Sequence, residues 1–266
     1  MLRRSSPLLV LGLIAVVASC NDLTGGIGAN GSPVGIVLMN ARTQGAGYTT
    51  SPIVNFYSVG SATFSFSTVN SDTCVAAAYD TTSVPTTATH IGAGAYMIAA
   101  VSGDTDSLYI SPTSDKTYRS KHVSGIPFNP GDSVFFNIAG DAVGFPPLSG
   151  TSRTAEPFTI ARPVIPAVGQ PMTITWTPAT DNNAGMYVAL LYNKGGGTNL
   201  NAQIFCDFHD DGQGLVQASL LPALSSSSVP FVLHAQRLRT QLLQGSLSNS
   251  YFNIISTFEV PTPVSP

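Results

Sequence analysis

Charged side chains are scarce in this chain of 266 residues, which has 11 lysines and arginines and 14 aspartates and glutamates. They make up 9% of the sequence, well below the roughly one quarter that is usual in soluble domains. A concentrated basic surface is therefore not available, and the composition argues against a nucleic-acid partner. Because charged residues are so few beside 43% apolar residues, the exposed surface must consist mainly of Ser, Thr, Asn, Gln and Gly, as in exported β-proteins.

Sequence motifs of catalysis are also missing. The four histidines are scattered, and the chain contains no HExxH, no GxSxG and no phosphate-binding loop. Only two glutamates are present, Glu156 and Glu259, so a Glu–Glu glycosidase pair is unattractive, although pairs of aspartates remain open. The sequence therefore gives no reason to expect an enzyme, and it predicts no cofactor.

Long apolar runs are lacking except near the N-terminus. Residues 8–17 are apolar, follow Arg3 and Arg4, and lead into two small residues, which is typical of an export signal. The run is shorter than the roughly 20 residues that cross a bilayer, so we expect residues 1–19 to be removed as a signal peptide. Since Arg3 and Arg4 belong to the 11 basic residues, nine then remain against 14 acidic ones, a formal charge of −5. Because this charge is negative, anionic membrane surfaces are disfavoured as electrostatic partners.

Residues 17–20, Val-Ala-Ser-Cys, resemble the lipobox of bacterial lipoproteins. The resemblance implies that Cys20 is linked to a diacylglycerol and becomes the mature N-terminus, and that acyl chains anchor the protein to a membrane. Val17 stands where Leu is more usual, and the alternative is an ordinary secretory signal with an incidental Cys20. The lipoprotein interpretation predicts a bacterial cell envelope, at the outer membrane or cell surface rather than the inner membrane. Residues 20–33, rich in Gly and Asn, would then be a flexible tether.

The remainder of the chain has the pattern of β-strands. From residue 34 onward apolar residues recur with a period of two, and no stripe of helical length is present. Residues 62–67, 172–177 and 231–236 show this alternation most clearly, and turn sequences such as Asn-Pro-Gly-Asp at 129–132 separate such segments. The sequence predicts an all-β protein of antiparallel sheets, each packed on one face.

Two domains are predicted. Residues 161–171 contain three prolines, which cannot donate to a central β-ladder, and are the expected boundary. The two β-sandwich domains would span residues 34–160 and 161–266. The order of strand patterns is similar on the two sides, which suggests a duplication, and convergent β-patterning is the alternative.

The second half resembles a fibronectin type III module. Residues 173–185 read TITWTPATDNNAG, and residues 220–235, LLPALSSSSVPFVLHA, are similar to the Leu-rich corner of that family. The resemblance implies an immunoglobulin-like antiparallel β-sandwich with Trp176 in its core. Phe231 stands where the family usually has Tyr, and the first half has Phe66 in place of the Trp.

Cys74 and Cys206 are the two cysteines that remain if Cys20 carries lipid. In an oxidising compartment they could form a disulfide, which would stabilise the fold by about 5 kcal/mol on the chain-entropy model. The alternative is two separate thiols in the core, because the suggested duplication does not bring the two positions together. No CxxC pair or metal-type cysteine spacing is present.

The most highly charged window of the chain is a candidate recognition loop. It covers residues 115–122 and contains two of the three lysines. Tyrosine and arginine concentrate binding energy in many interfaces, so the window could contact a partner. The alternative is a solvated loop. The candidate residues are Lys116, Tyr118, Arg119, Lys121 and His122.

A weak candidate for a metal site follows residue 206. Asp207, His209 and Asp211 alternate along the chain, and a glycine follows them where a calcium loop would turn. Ala218 occupies the position at which an EF-hand has a bidentate Glu, so the segment is not an EF-hand. A polar turn is the alternative, and we predict no established metal site.

The leading hypothesis is a non-catalytic protein, anchored by lipid to the cell envelope, that acts as an adhesion, binding or assembly module. Its expected partners are the membrane, through the N-terminal lipid, and an envelope protein or glycan. The alternative is a secreted hydrolase or a carbohydrate-binding accessory protein whose site the sequence does not reveal.

Overall fold

The computed structural model describes residues 32–44, 47–59, 71–78, 89–101, 107–120, 125–180, 183–195, 200–221, 231–245 and 250–260. These ranges contain 18 β-strands and one short turn of 3-10 helix at Ala218–Leu220, and the prediction of an all-β protein is confirmed. No helix within them is long and apolar enough to cross a membrane. The predicted signal peptide, Cys20, most of the tether and the predicted strand at 62–67 lie outside the described residues.

Thirteen of the strands form one large sheet. From one edge, its order begins with β12 (Leu148–Arg153), β11 (Ser133–Ile138), β7 (Met97–Val101), β8 (Ser107–Pro112), β9 (Tyr118–Ser120), β4 (Ile53–Val59) and β1 (Ser32–Asn40). It continues with β18 (Tyr251–Val260), β17 (Phe231–Gln244), β14 (Ala184–Tyr192), β15 (Ala202–His209) and β5 (Thr73–Ala78), and β6 (Thr89–His90) pairs with β4. The pairing of β1 with β18 is parallel, whereas the other pairings in this sheet are antiparallel.

Two small sheets each contribute side chains to one core of the large sheet. The first consists of β2 (Arg42–Gln44), β3 (Gly47–Thr50) and β10 (Ile126–Phe128), and the second of β13 (Met172–Thr175) and β16 (Gln213–Val216). Ile126 and Phe128 join the core beside β4, β7 and β11. Ile174 and Val216 join the core beside β14 and β15.

The two halves of the chain are joined into the large sheet across the predicted boundary. β1 pairs with β18, from Val34 opposite Tyr251 to Asn40 opposite Thr257. β5 belongs to the first half of the chain but pairs with β15 of the second half. The prediction of two immunoglobulin-like sandwiches is therefore not reproduced as two separate pairs of sheets. Alternation identifies the face that a side chain occupies, but it does not specify which strand lies alongside.

The first core is built around aromatic rings at the junction of β1, β4 and β18. The rings of Phe56 and Phe252 stack with their centroids 5.9 Å apart. Gly35 lies beneath them, and a Cβ atom at this position would be only 2.5 Å from Phe252 and 2.7 Å from Phe56. Glycine at position 35 therefore allows both rings to cover the parallel pairing of β1 with β18.

A buried polar layer separates the two cores on the same face of β17. Phe231, Leu233 and Ala235 belong to the second core and Leu243 packs against the first. Arg237 and Arg239 lie between these positions and are 1% and 4% exposed. We define the polar layer by these two arginines and their partners, Asp210 and Glu156, together with Ser256, which is 2% exposed.

Every charge in this polar layer has hydrogen-bonding partners. The Arg237 Nε donates to Asp210 Oδ2 at 2.5 Å, and its Nη groups donate to Asp210 Oδ1 and to backbone carbonyls that include Thr177. Trp176 Nε1 donates to Asp210 Oδ1 at 2.7 Å. Arg239 donates from Nε and Nη2 to Glu156. Such complete pairing offsets the cost of removing these charges from water.

We expect acid to destabilise the fold through Glu156. Burial by itself raises the pKa of this carboxyl group, but hydrogen bonds from Arg239, the backbone and Thr180, with the charge of Arg239, outweigh it and lower the pKa to about 2. The stabilisation is complete above the ordinary carboxyl pKa near 4.5 and is lost as the pH falls towards 2. Urea unfolding measured from pH 6 down to about pH 2 should therefore show a stability that declines below pH 4.5.

Glu156→Gln tests whether this carboxyl group is responsible. The variant should be less stable at pH 6 and should show a smaller decline in acid, whereas Glu259→Gln should keep the decline of the unmodified chain. Equal slopes against pH for the unmodified chain and Glu156→Gln would contradict the assignment.

Candidate functional site

The best candidate for a ligand site is a pocket at which three loops meet. The loops are residues 91–96 before β7, residues 113–117 between β8 and β9, and residues 139–147 between β11 and β12. The pocket has a volume of about 270 Å³. It is lined by Lys116 and Tyr118 of the predicted recognition loop, by Asp141, and by backbone and aliphatic groups of the other two loops.

Tyr118 fixes one loop of the pocket from inside the core. Its hydroxyl group accepts a hydrogen bond from the Ala93 N–H and donates one to the Gly94 carbonyl, each at 2.7 Å. The residue is 1% exposed, and its ring meets that of Phe56 edge to face. Burial raises the pKa of the Tyr118 phenol, and the charge of Asp141 raises it further against the opposing effect of the Ala93 N–H. This member of the predicted recognition loop therefore positions the pocket and does not present its ring to solvent.

Close backbone contacts hold the loop of residues 139–147 against the loop of residues 91–96. The Phe145 N–H donates to the Gly92 carbonyl at 2.8 Å, and the Gly140 N–H donates to the Ala93 carbonyl at 3.0 Å. A Cβ atom at Gly144 would lie 2.1 Å from the Gly92 carbonyl oxygen, so the loops can approach this closely only with glycine there. The pocket wall on this side is consequently peptide backbone.

Asp141 supplies the negative charge of the pocket. Its Oδ1 accepts a hydrogen bond from the Val143 N–H at 3.0 Å, which fixes the side chain in a local turn. Its Oδ2 lies 2.8 Å from where a Cβ atom of Gly92 would be. Because Gly92 has no side chain, this oxygen keeps its place at the pocket.

Lys116 supplies the positive charge from a tight turn. It adopts a φ of +61° and its Nζ lies 3.5 Å from the His90 carbonyl oxygen. The turn is held by Asp115, whose carboxylate accepts hydrogen bonds from the Thr113 hydroxyl and, at 3.0 Å, from the Thr117 N–H. These bonds lower the pKa of Asp115 from 3.8 to about 2, so the carboxylate stays ionised in acid below the ordinary pKa of aspartate.

The remaining residues of the predicted recognition loop are divided. Arg119 is exposed on β9, next to the buried Tyr118. Lys121 and His122 lie outside the described residues. The structure therefore brings Lys116 to the pocket and places Arg119 on the adjoining surface, while Asp141, from a loop 25 residues further along the chain, completes the site.

The candidate metal ligands lie elsewhere, at the far end of the sheet. Asp207 and His209 are on the same face of β15, and Asp211 is in the turn that follows. The nearest partner of His209 is Asp72, which is 2.8 Å from the ring Nδ1 and accepts the His209 N–H at 2.8 Å. The Asp211 carboxylate accepts the Gln213 N–H at 3.2 Å. Across the described residues, no three His, Cys, Asp or Glu side chains form a group that could hold a metal ion.

Cys74 and Cys206 form a disulfide. They lie directly opposite each other in the pairing of β5 with β15, with their Cα atoms 4.1 Å apart. Cys206 is fully buried, whereas most of β5 is exposed. The bond therefore attaches an exposed edge strand from the first half of the chain to the second core.

Sequence reasoning identified Lys116 but missed Asp141. The available signal was weak: Asp141 is an acidic residue in a loop with glycines on both sides, at positions 140 and 144, in a chain with little charge. Nothing in the sequence indicates that this loop reaches residues 91–96. Comparison of the chain with known proteins found no protein-family model that matches it and no match among the curated proteins.

Proposed function

We propose that this chain is a lipid-anchored protein of a bacterial cell envelope that binds a ligand or partner without catalysis, and that the three-loop pocket is its recognition site. The observation that carries the proposal is the placement of an acidic and a basic side chain, Asp141 and Lys116, at one pocket in a charge-poor chain. Loops that a rigid sheet holds in place are common positions for binding residues.

The location is supported by two independent features. The leader resembles that of a lipoprotein, and this resemblance implies that Cys20 is the mature N-terminus, where acyl chains would anchor the protein. The disulfide between Cys74 and Cys206 is of a kind that persists in oxidising compartments outside the cytoplasm. The proposal includes an immunoglobulin-like sandwich for the second half, which the buried Trp176 and the alternation in β17 support.

The binding proposal can be tested by NMR on the isotopically labelled chain. Mixtures of small amines, carboxylates and monosaccharides are added, and the amide signals of Gly92, Gly94 and Gly144 are followed. Binding predicts shifts that are largest at these three glycines, with signals of β14 and β17 unchanged. If no class of compound moves the three signals at about 10 mM, a concentration that detects weak small ligands, the pocket is not a recognition site.

The anchoring proposal needs a separate measurement. Mass spectrometry of the protein extracted from membranes should give an N-terminal peptide that begins at Cys20 and carries acyl chains. An N-terminal peptide that begins at or near Cys20 without acyl chains, recovered from the culture medium, would contradict it.

A further inference from the structure

The two charges of the pocket do not form an ion pair with each other. Within the described residues, neither Asp141 nor Lys116 belongs to an ion pair. By contrast, Arg237 and Arg239 are both in ion pairs with carboxylates. A carboxylate and an ammonium group that line one pocket without pairing are complementary to a molecule that carries both opposite charges.

The uncharged walls indicate the body of such a molecule. Ile91, Pro112 and Val143 contribute aliphatic surface, and Val143 is 95% exposed. The aromatic ring at the pocket, Tyr118, is buried in the core, so a sugar has no exposed aromatic face of this residue on which to stack. The walls therefore favour an aliphatic side chain over a sugar ring.

The volume sets the size of the ligand. Sites for drug-sized molecules usually enclose about 300–1,000 Å³, so a pocket of about 270 Å³ suits a smaller molecule. An aliphatic amino acid, or the N-terminal residue of a peptide, has this size. It also carries an ammonium group, an apolar side chain and a carboxylate or carbonyl group on one α-carbon.

We propose that the pocket recognises an aliphatic α-amino acid unit, with the ligand ammonium group at Asp141 and the ligand carboxylate directed to Lys116. The inference rests on the proposed function and names the ligand chemistry of the same site. Free amino acids and peptide N-termini share the ammonium group and the side chain, whereas only the free amino acid has its carboxylate at the position that Lys116 can reach.

The test is calorimetric titration of the purified chain with leucine and three analogues. Isoamylamine lacks the carboxylate, 4-methylpentanoate lacks the ammonium group, and the peptide Leu-Gly-Gly moves the carboxylate away. We expect leucine to bind with a dissociation constant on the order of 1 mM, as suits a small open site. Isoamylamine should bind more weakly than leucine, and 4-methylpentanoate should give no heat of binding.

Conservative variants separate the two charges. Asp141→Asn keeps the acceptor for the Val143 N–H but removes the charge, and it should weaken leucine binding by about tenfold. Lys116→Gln should weaken leucine binding by about threefold, because this side chain is exposed, and should leave isoamylamine binding unchanged. Asp211→Asn and Lys194→Gln, matched substitutions at exposed positions outside the pocket, should leave leucine binding unchanged.

The results of the titrations and of the NMR experiment separate the choice of ligand from the existence of a recognition site at the pocket. Tighter binding of Leu-Gly-Gly than of leucine would identify the peptide N-terminus as the source and remove Lys116 from the carboxylate site. No binding of leucine or of the peptide, or binding that Asp141→Asn leaves unchanged, would overturn the inference. If neutral compounds nevertheless move the signals of Gly92 and Gly144, the proposed recognition site stands with a different ligand, and if nothing moves them both proposals fail.

Discussion

Replacing Arg237 by methionine should lower the free energy of unfolding by about 3–5 kcal/mol, the usual cost of leaving one member of a buried ion pair without its partner. Asp210 and Arg237 have side chains that are each 1% exposed, and two hydrogen bonds join them. Methionine fills similar space, so the loss reflects the uncompensated carboxylate rather than a cavity. Urea unfolding at pH 7, followed by the fluorescence of Trp176, measures the change.

A double-mutant cycle separates the ion pair from packing. Asp210→Asn removes the charge but keeps an oxygen for the Trp176 N–H, which donates to Asp210 at 2.7 Å. Each single variant should be strongly destabilised, and the double variant should be more stable than the sum of the two losses predicts. Arg162→Met is the matched control, since Arg162 is exposed and lies 5.7 Å from the Phe231 ring, and it should cost at most about 1 kcal/mol. Additive losses across the cycle would show that the pair contributes only through packing.

The position of this polar layer explains why breaking its ion pairs should destabilise the whole fold. Arg237 lies on β17 and is bonded to the turn after β15 through Asp210 and to the extended segment after β12 through the Pro157 carbonyl. Arg239 adds Glu156 of the same segment. The polar layer therefore joins the strands of the second half to the segment that links the two halves of the chain.

Local features of the fold could be predicted from the sequence because they depend on neighbouring residues. The alternation at Phe231, Leu233 and Ala235 is confirmed, since all three are buried in the second core. Trp176 is 6% exposed in the same core. The turn at 129–132 also follows its sequence, with the Asp132 N–H bonded to the Asn129 carbonyl and Gly131 at a φ of +99°.

Strand partners could not be predicted, because they depend on residues far apart in the chain. A short apolar segment such as residues 73–78, TCVAAA, does not indicate which strand it pairs with, and the predicted boundary places it in the first half. The parallel pairing of β1 with β18 joins residues more than 200 positions apart. The Asp-Asp-Gly sequence at 210–212 is typical of a hairpin turn, but it passes the chain from the large sheet to the small sheet of β13 and β16.

The candidate site was predictable only in part for the same reason. A window rich in charge identified Lys116, but the same window contains Tyr118, whose hydroxyl group forms hydrogen bonds with the backbone of residues 93 and 94. Composition cannot separate an exposed tyrosine from one whose hydroxyl group is buried against a loop. In the sequence, Arg237 and Arg239 likewise look like two ordinary charged residues of a strand. Only the fold brings Asp210 and Glu156 next to them.

Removing the disulfide should have an effect of similar size to breaking the ion pair. For a sequence separation of 132 residues, the chain-entropy model gives a stabilisation of about 5 kcal/mol, and measured values for native disulfides are usually about 2–5 kcal/mol. We expect Cys74→Ala combined with Cys206→Ala to lower the free energy of unfolding within this range. Cys74→Ala alone keeps the buried Cys206 thiol in the core and removes the same cross-link, so the difference between the two variants reports the cost of the space at residue 206.

Hydrogen exchange shows whether the disulfide only restricts the unfolded chain or also holds β5 on the folded sheet. If it only restricts the unfolded chain, the slowest amides of β14, β15 and β17 lose protection equally, because they exchange through global unfolding. β5 should lose more, because among the described strands it pairs only with β15 and its residues 75–78 are exposed. Without the cross-link it can separate while the second core stays folded. Protection of β5 that persists in the double variant, or a loss of stability below about 1 kcal/mol, would show that strand pairing alone holds this edge.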